Sequence, residues 1–139
     1  MIASLHGTLE SWGSNSAVIN VNGVGYQVFM SIRTLSNLST VGMQIHLNTH
    51  LVLREDSVIL YGFFSIEELK LFKVLISVSG LGPRLALAML SVLSVEQVIL
   101  AIDKGDTDVL TTVPGIGKKM VERIVTSLKG KLSSVLKGQ

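Results

Sequence analysis

The chain has 139 residues, 47% of them hydrophobic, which is enough apolar material for one ordinary domain or two small ones and excludes an intrinsically disordered protein. Its formal net charge of +2 is too small to argue for a nucleic-acid partner by itself, and the absence of cysteine excludes disulfides, iron–sulfur clusters and thiolate zinc sites, which fits the cytoplasm. The longest near-apolar run, residues 85–95, is too short to cross a bilayer, and the N-terminus lacks the basic segment and long apolar core of a signal peptide, so no membrane partner and no export are expected.

In chain order, residues 2–12, 17–21, 25–30, 44–53 and 58–62 are rich in β-branched or alternating residues and are separated by Gly, Asn, Ser and Asp, the pattern of strands. Asn22-Gly23 supplies the positive φ angles of a tight hairpin between the second and third. Five short strands in so little chain predict a small antiparallel barrel of the oligonucleotide-binding type. The period then changes. Ser65-Ile-Glu-Glu68 and Ser94-Val-Glu-Gln97 are capping-box patterns that each open an apolar-periodic stretch. Helices are expected over 65–78, 83–92, 95–102, 106–112 and 118–132. The fold class is therefore a five-stranded β barrel followed by an all-α part, with a barrel domain over 1–63 and a helical domain over 64–135. In the last helix Val121, Ile124, Val125, Leu128 and Leu132 form an apolar stripe, with Lys119 and Arg123 four residues apart on a neighbouring face.

One pattern is written twice at an offset of 35 residues: Val78-Ser-Gly80-Leu-Gly82-Pro-Arg84 and Val113-Pro-Gly115-Ile-Gly117-Lys-Lys119. Each copy places two glycines between amphipathic stretches. A glycine pair there permits backbone angles that a Cβ forbids and lets another molecule approach the main chain. The helix that starts at the second glycine offers unpaired N–H groups and the positive end of its dipole to an anion, with Arg84 or Lys118 and Lys119 in its first turn. This resembles the helix-hairpin-helix motifs, which grip DNA phosphates without reading bases. Ordinary helix capping by glycine explains one copy; the duplication weighs against it, and a tetratricopeptide array does not place Gly-x-Gly at a helix start. Gly23-Val-Gly25 has the same spacing but leads into a strand, so it offers no helix N-terminus. Charge follows the motif. Arg33 and Arg54 face Glu10, Glu55 and Asp56 before residue 64, whereas from there on ten basic residues face seven acidic ones. Lys118, Lys119, Arg123, Lys129, Lys131 and Lys137 gather after Gly117 against Glu122 alone. Lys129, Lys131 and Lys137 read as a solvated face, and the adjoining Gly-Ile-Gly marks Lys118, Lys119 and Arg123 as binders.

Several chemistries lack their residues. No window fits the phosphate loop Gly-x4-Gly-Lys-Ser/Thr, so the chain alone should not hydrolyse ATP. His46 and His50, in an alternating strand, stand about 13 Å apart, too far for one ion; solvated histidines are expected, with no metal and no cofactor. Glu55 and Asp56 admit three readings. They are part of a nuclease site if further carboxylates converge on them, plain acids at a hairpin turn, or negative charge that keeps DNA strands apart without covalent chemistry.

Taken whole, the chain resembles the RuvA family, the Holliday-junction-recognising subunits of the bacterial RuvAB branch-migration machine. The resemblance is carried by Met1-Ile-Ala, Val24-Gly-Tyr26, Arg54-Glu-Asp56, Leu60-Tyr-Gly-Phe63, Gly80-Leu-Gly-Pro-Arg-Leu-Ala86 and Leu110-Thr-Thr-Val-Pro-Gly-Ile-Gly-Lys-Lys119. It implies an oligonucleotide-binding-fold barrel and two helix-hairpin-helix motifs, and a non-catalytic role in recombination, DNA repair and the SOS response. It also implies a four-fold symmetric tetramer holding an open four-way junction, with a second tetramer in some complexes making an octamer. Glu55 and Asp56 would be the acidic pin at the crossover. Gly80, Gly82 and Arg84, with Gly115, Gly117, Lys118, Lys119 and Arg123, would contact DNA. Partners would be RuvB, the ATP-driven motor, through a third domain, and RuvC. Family members continue through a linker into that domain; here 136–139 would be the start of the linker, and truncation of a longer chain is the expected reason. The rival reading is a helix-hairpin-helix repair enzyme, a glycosylase or nuclease, with a protein-interaction module as a further alternative.

Overall fold

A computed structural model describes residues 1–136; of the expected linker 136–139, residues 137–139, Lys137 among them, lie outside the described residues. The chain divides into two compact units, Met1–Leu69 and the remainder from Lys70 on.

The first unit is a closed barrel in the order β1-β2-β3-β5-β4, made of β1 (Ser4–Trp12), β2 (Ser16–Val21), β3 (Val24–Phe29), β4 (Gln44–Leu53) and β5 (Val58–Phe63). β1 serves two neighbours: Ser4 to Thr8 pair with β4, and Thr8 to Trp12 pair with β2 across a register shift between Leu9 and Ser11. Such a bulge bends the strand and lets it turn from one neighbour to the next. Asn22 and Gly23 take φ values of 52° and 90°, as the hairpin signal requires. The barrel is not wholly antiparallel as expected. β3 and β5 pair in parallel, through Val28↔Leu60 and Phe29↔Tyr61. The reason is parity: strands alternating in direction around a closed ring of five must leave one neighbouring pair parallel.

Leu5, Leu9, Ile19, Val28, Ile45, Leu47 and Leu60 alternate inward and fill the barrel. Gly62 also belongs inside, since a Cβ there would come within 2.5 Å of Val28 Cγ1. An element the sequence did not announce, α1 (Ile32–Leu35), precedes β4 and adds Leu35 to this core, as does Leu38 beyond it. Buried Ser31 caps it: its Oγ accepts from Thr34 N at 3.1 Å and donates to Thr34 Oγ1 at 2.9 Å. The capping box expected at Ser65 is half realised. Glu68 N donates to Ser65 Oγ at 3.1 Å, whereas the Glu68 carboxyl is hydrogen-bonded with Thr34. Burial pushes that carboxyl above the ordinary range, and the Thr34 hydrogen bond and the Arg33 charge oppose the shift.

The remaining elements are α2 (Ile66–Leu75), within which the division of units falls, α3 (Pro83–Val92), α4 (Val95–Lys104), α5 (Thr107–Leu110), α6 (Lys118–Leu128) and α7 (Ser133–Leu136). α4 has the full capping box, with Gln97 N donating to Ser94 Oγ at 3.1 Å and Ser94 N to Gln97 Oε1 at 2.8 Å. It stops at Gly105, whose φ of 65° is the left-handed cap that glycine favours. α5 is shorter than the expected 106–112 at both ends: Asp106 is its cap, with Oδ1 accepting from Val109 N at 3.1 Å, and Thr111 caps the other end, where Thr112 N turns back to Val109 O at 3.2 Å. α2 ends at Leu75, where turn bonds such as Val78 N to Leu75 O, 3.1 Å, replace the helical ladder. α6 stops at Leu128, short of the expected 132, because Gly130 turns the chain with φ 79°. Leu132 is buried all the same, delivered from beyond the turn. Among the described residues no single helix is long and apolar enough to cross a membrane.

Candidate nucleic-acid interface

The sequence repeat is a structural repeat. Leu81 N donates to Val78 O at 3.0 Å and Ala86 N to Gly82 O at 3.0 Å; 35 residues on, Ile116 N donates to Val113 O at 3.1 Å and Val121 N to Gly117 O at 3.0 Å. Val78 and Leu81 are buried beneath the first turn, as Val113 and Ile116 are beneath the second. Each copy is thus a helix, a tight turn pinned by two apolar side chains, and a second helix, α3 or α6.

The two glycines of each copy do different work. Gly80 and Gly115 have φ values of 86° and 94°, where a side chain is strained. They also lie against the other copy. A Cβ at Gly80 would stand 3.4 Å from Met120 Cε and 2.6 Å from Arg123 Nη1, and one at Gly115 would stand 3.1 Å from Leu85 Cδ1. Leu85 and Met120 are themselves equivalent at the offset of 35, so each turn rests on the second helix of the other hairpin. Gly82 and Gly117 are unlike this. Their backbones are extended (φ −84°, ψ 173° and φ −101°, ψ −179°), which any residue adopts, and a Cβ at either would meet no atom within 4 Å.

Gly82 and Gly117 are also the N-caps of α3 and α6, and neither makes a side-chain capping bond. α1, α4 and α5 are capped by Ser31, Ser94 and Asp106. Among the described residues, the first-turn amides of α3 and α6 are therefore left without a side-chain acceptor, the condition under which a helix start takes an anion. Pro83, at the first helical position, removes one donor from α3; α6 begins with Lys118 and Lys119 and keeps its full set. Arg84, Lys118, Lys119 and Arg123 are all exposed. A depression of about 450 Å³ along α6 is lined by Lys119, Glu122, Arg123, Thr126 and Ser127. Arg123 also reaches back to the first hairpin, its Nη1 donating to Ser79 O at 3.1 Å, a bond 44 residues long that local spacing could not reveal.

Glu55 and Asp56 belong to the other unit. They are exposed at the tip of the β4–β5 hairpin, whose turn is closed by Arg54 N donating to Ser57 O at 2.8 Å. The strand pair beneath them, Leu53↔Val58, is 69% and 62% exposed, so the tip stands clear of the barrel core. Among the described residues no three His, Cys, Asp or Glu side chains come together as a metal site. His46 pairs not with His50 but with its cross-strand neighbour His6, the rings stacked with centroids 4.0 Å apart and 14° between planes. The exposed ends Lys129 and Lys131 lie past α6, beyond its turn amides.

Comparison with known proteins matches residues 1–62 to the family described as RuvA N terminal domain and residues 72–130 to the SAM-like Helix-hairpin-helix tandem. A protein of Dehalococcoides mccartyi named Holliday junction branch migration complex subunit RuvA is 47% identical over 133 residues, covering 96% of this chain and 69% of that relative. The chain belongs to the RuvA family. RuvA subunits of Ruminiclostridium cellulolyticum and Corynebacterium glutamicum (strain R) are 41% and 49% identical, covering 96% and 99% of this chain and 67% and 66% of theirs. The RuvA-type barrel and the tandem hairpins are the two parts that the sequence pattern predicts.

Proposed function

We propose that this chain is the junction-binding, non-motor subunit of a branch-migration complex, with no covalent chemistry of its own. The observation that carries the reading is the pair of uncapped helix starts, each with a glycine whose space no atom of the described residues fills. On this reading Gly80, Gly82 and Arg84 form one phosphate grip, and Gly115, Gly117, Lys118, Lys119 and Arg123 form the other. Amides fix the phosphate and basic side chains add attraction that falls with salt and is indifferent to sequence. Glu55 and Asp56 act as a pin whose negative charge disfavours a DNA strand at the crossover. The chain works as a barrel domain over 1–63 carrying the pin and a helical domain over 64–135 carrying the grips. It assembles as a homotetramer, or as an octamer closing both faces of the junction, in the cytoplasm, and serves the RuvB motor, with RuvC as a further partner. The family match favours this reading over a repair enzyme. Gel shifts test it: a four-way junction should be bound far more tightly than a linear duplex of the same length, without incision in magnesium. Equal affinity for both, or specific cutting by the pure protein, would refute it.

A further inference from the structure

Arg123 is singled out by three features. Its Nη1 donates to the Ser79 carbonyl in the turn of the first hairpin. That same nitrogen occupies the space beside Gly80, where a Cβ would stand only 2.6 Å away, so the first turn is shaped around the guanidinium. Third, the repeat is broken at this point. The residue equivalent to Arg123 at the offset of 35 is Ala88, which has no donor to offer the carbonyl of Pro114, the counterpart of Ser79, so the second turn has no counterpart of the tie, and a Cβ at Gly115 would meet the Leu85 methyl instead of a guanidinium.

We propose that Arg123 is a positioning residue, a strut that holds the first phosphate grip in register with α6, from which the second grip begins. A guanidinium carries five N–H donors in a rigid fork, so it can hold a carbonyl with one and still present charge to a phosphate with others. Loss of Arg123 then weakens both grips, the second by loss of charge and the first by release of its turn. This deepens the reading of the hairpins as phosphate grips and rests on it only for the consequence in binding.

The Leu81 amide, buried in the first turn and bonded to Val78 O, reports the strut, and the Ile116 amide, bonded to Val113 O in the second turn, is its internal control. Residue-resolved hydrogen exchange is measured on the DNA-free protein for the wild type, Arg123→Met, which keeps the aliphatic stem, and Lys119→Met, which removes a charge from the same helix. Leu81 should exchange about threefold to tenfold faster in Arg123→Met, the range of one exposed hydrogen bond, with Ile116 unchanged. Lys119→Met should move neither. Unchanged Leu81 exchange in Arg123→Met, or equal acceleration at Leu81 and Ile116, overturns the strut. A four-way-junction titration of the same proteins separates the two levels. Lost affinity with unchanged Leu81 exchange leaves Arg123 a simple phosphate ligand and refutes the strut alone. Faster Leu81 exchange with wild-type affinity in both variants upholds the strut and counts against the phosphate grip.

Discussion

Gly117→Ala separates what the protein needs from what its ligand needs. The backbone at Gly117 is extended and the added methyl meets no atom within 4 Å. The cost to folding is thus only the difference between glycine and alanine as an N-cap, about 0.5–1 kcal/mol. Gly115→Ala, two residues earlier, forces a side chain into a φ of 94° and against Leu85 Cδ1 at 3.1 Å. Left-handed strain alone costs about 1–2 kcal/mol there, so Gly115→Ala should be the less stable of the two in denaturant unfolding. In binding the weight falls on Gly117. A methyl in the phosphate's place lengthens or breaks amide bonds to a charged partner worth about 1.5–3 kcal/mol each. The affinity for a labelled four-way junction, read by fluorescence anisotropy, should fall about tenfold to a hundredfold. Gly82→Ala should behave in the same way at the first hairpin. Wild-type affinity in a folded Gly117→Ala protein would mean that the empty space at the second glycine is not kept for a phosphate.

Replacing Lys118 and Lys119 together by alanine should lower affinity for junctions of any sequence and flatten the log–log salt dependence by about 0.9 for each phosphate no longer neutralised; an unchanged slope would place these lysines off the DNA. Glu55→Gln with Asp56→Asn should preserve or raise junction affinity while altering strand separation at the crossover, read with a base analogue there, and a collapse in affinity with the fold intact would contradict repulsion by the pin. The Glu68 carboxyl sits above its ordinary range in the folded protein, so the folded state holds the proton more tightly than the unfolded one. Stability from this group is therefore full below the ordinary carboxylate range and lost as pH rises through the raised folded value. Glu68→Gln should gain on the wild type in thermal melts at neutral pH and converge with it in acid; parallel pH profiles would show that Glu68 is not under this constraint.

Much of the architecture was legible because its causes are local. β-branched or alternating runs bounded by Gly, Asn, Ser and Asp mark every barrel strand to within two residues, and Asn22-Gly23 names its turn. The hairpins were legible because they are written twice. What escaped has causes distant in the chain or too short to leave a period. α1 is four residues held by Ser31, below the length at which a helical stripe can be seen. Parallel closure of β3 on β5 follows from the number of strands and not from either strand's composition. Glu68 matches a capping box in sequence, but Thr34 competes for its carboxyl from elsewhere in the barrel unit. Gly-x-Gly announces a close approach without saying which glycine faces the protein and which faces outward. Only the neighbours of each absent Cβ divide those roles.

The helices that begin at Gly82 and Gly117 are, in thermodynamic terms, unfinished. Ser94 and Asp106 complete their own helices from within the chain; α3 and α6 leave that task to whatever arrives. A ligand that supplies the missing acceptors becomes part of the secondary structure it binds, so occupancy and helix stability rise together by linkage. Melting of the helical unit then becomes a gauge of engagement, and a polyanion that only neutralises lysines, without seating an oxygen on the amides, will register on it weakly.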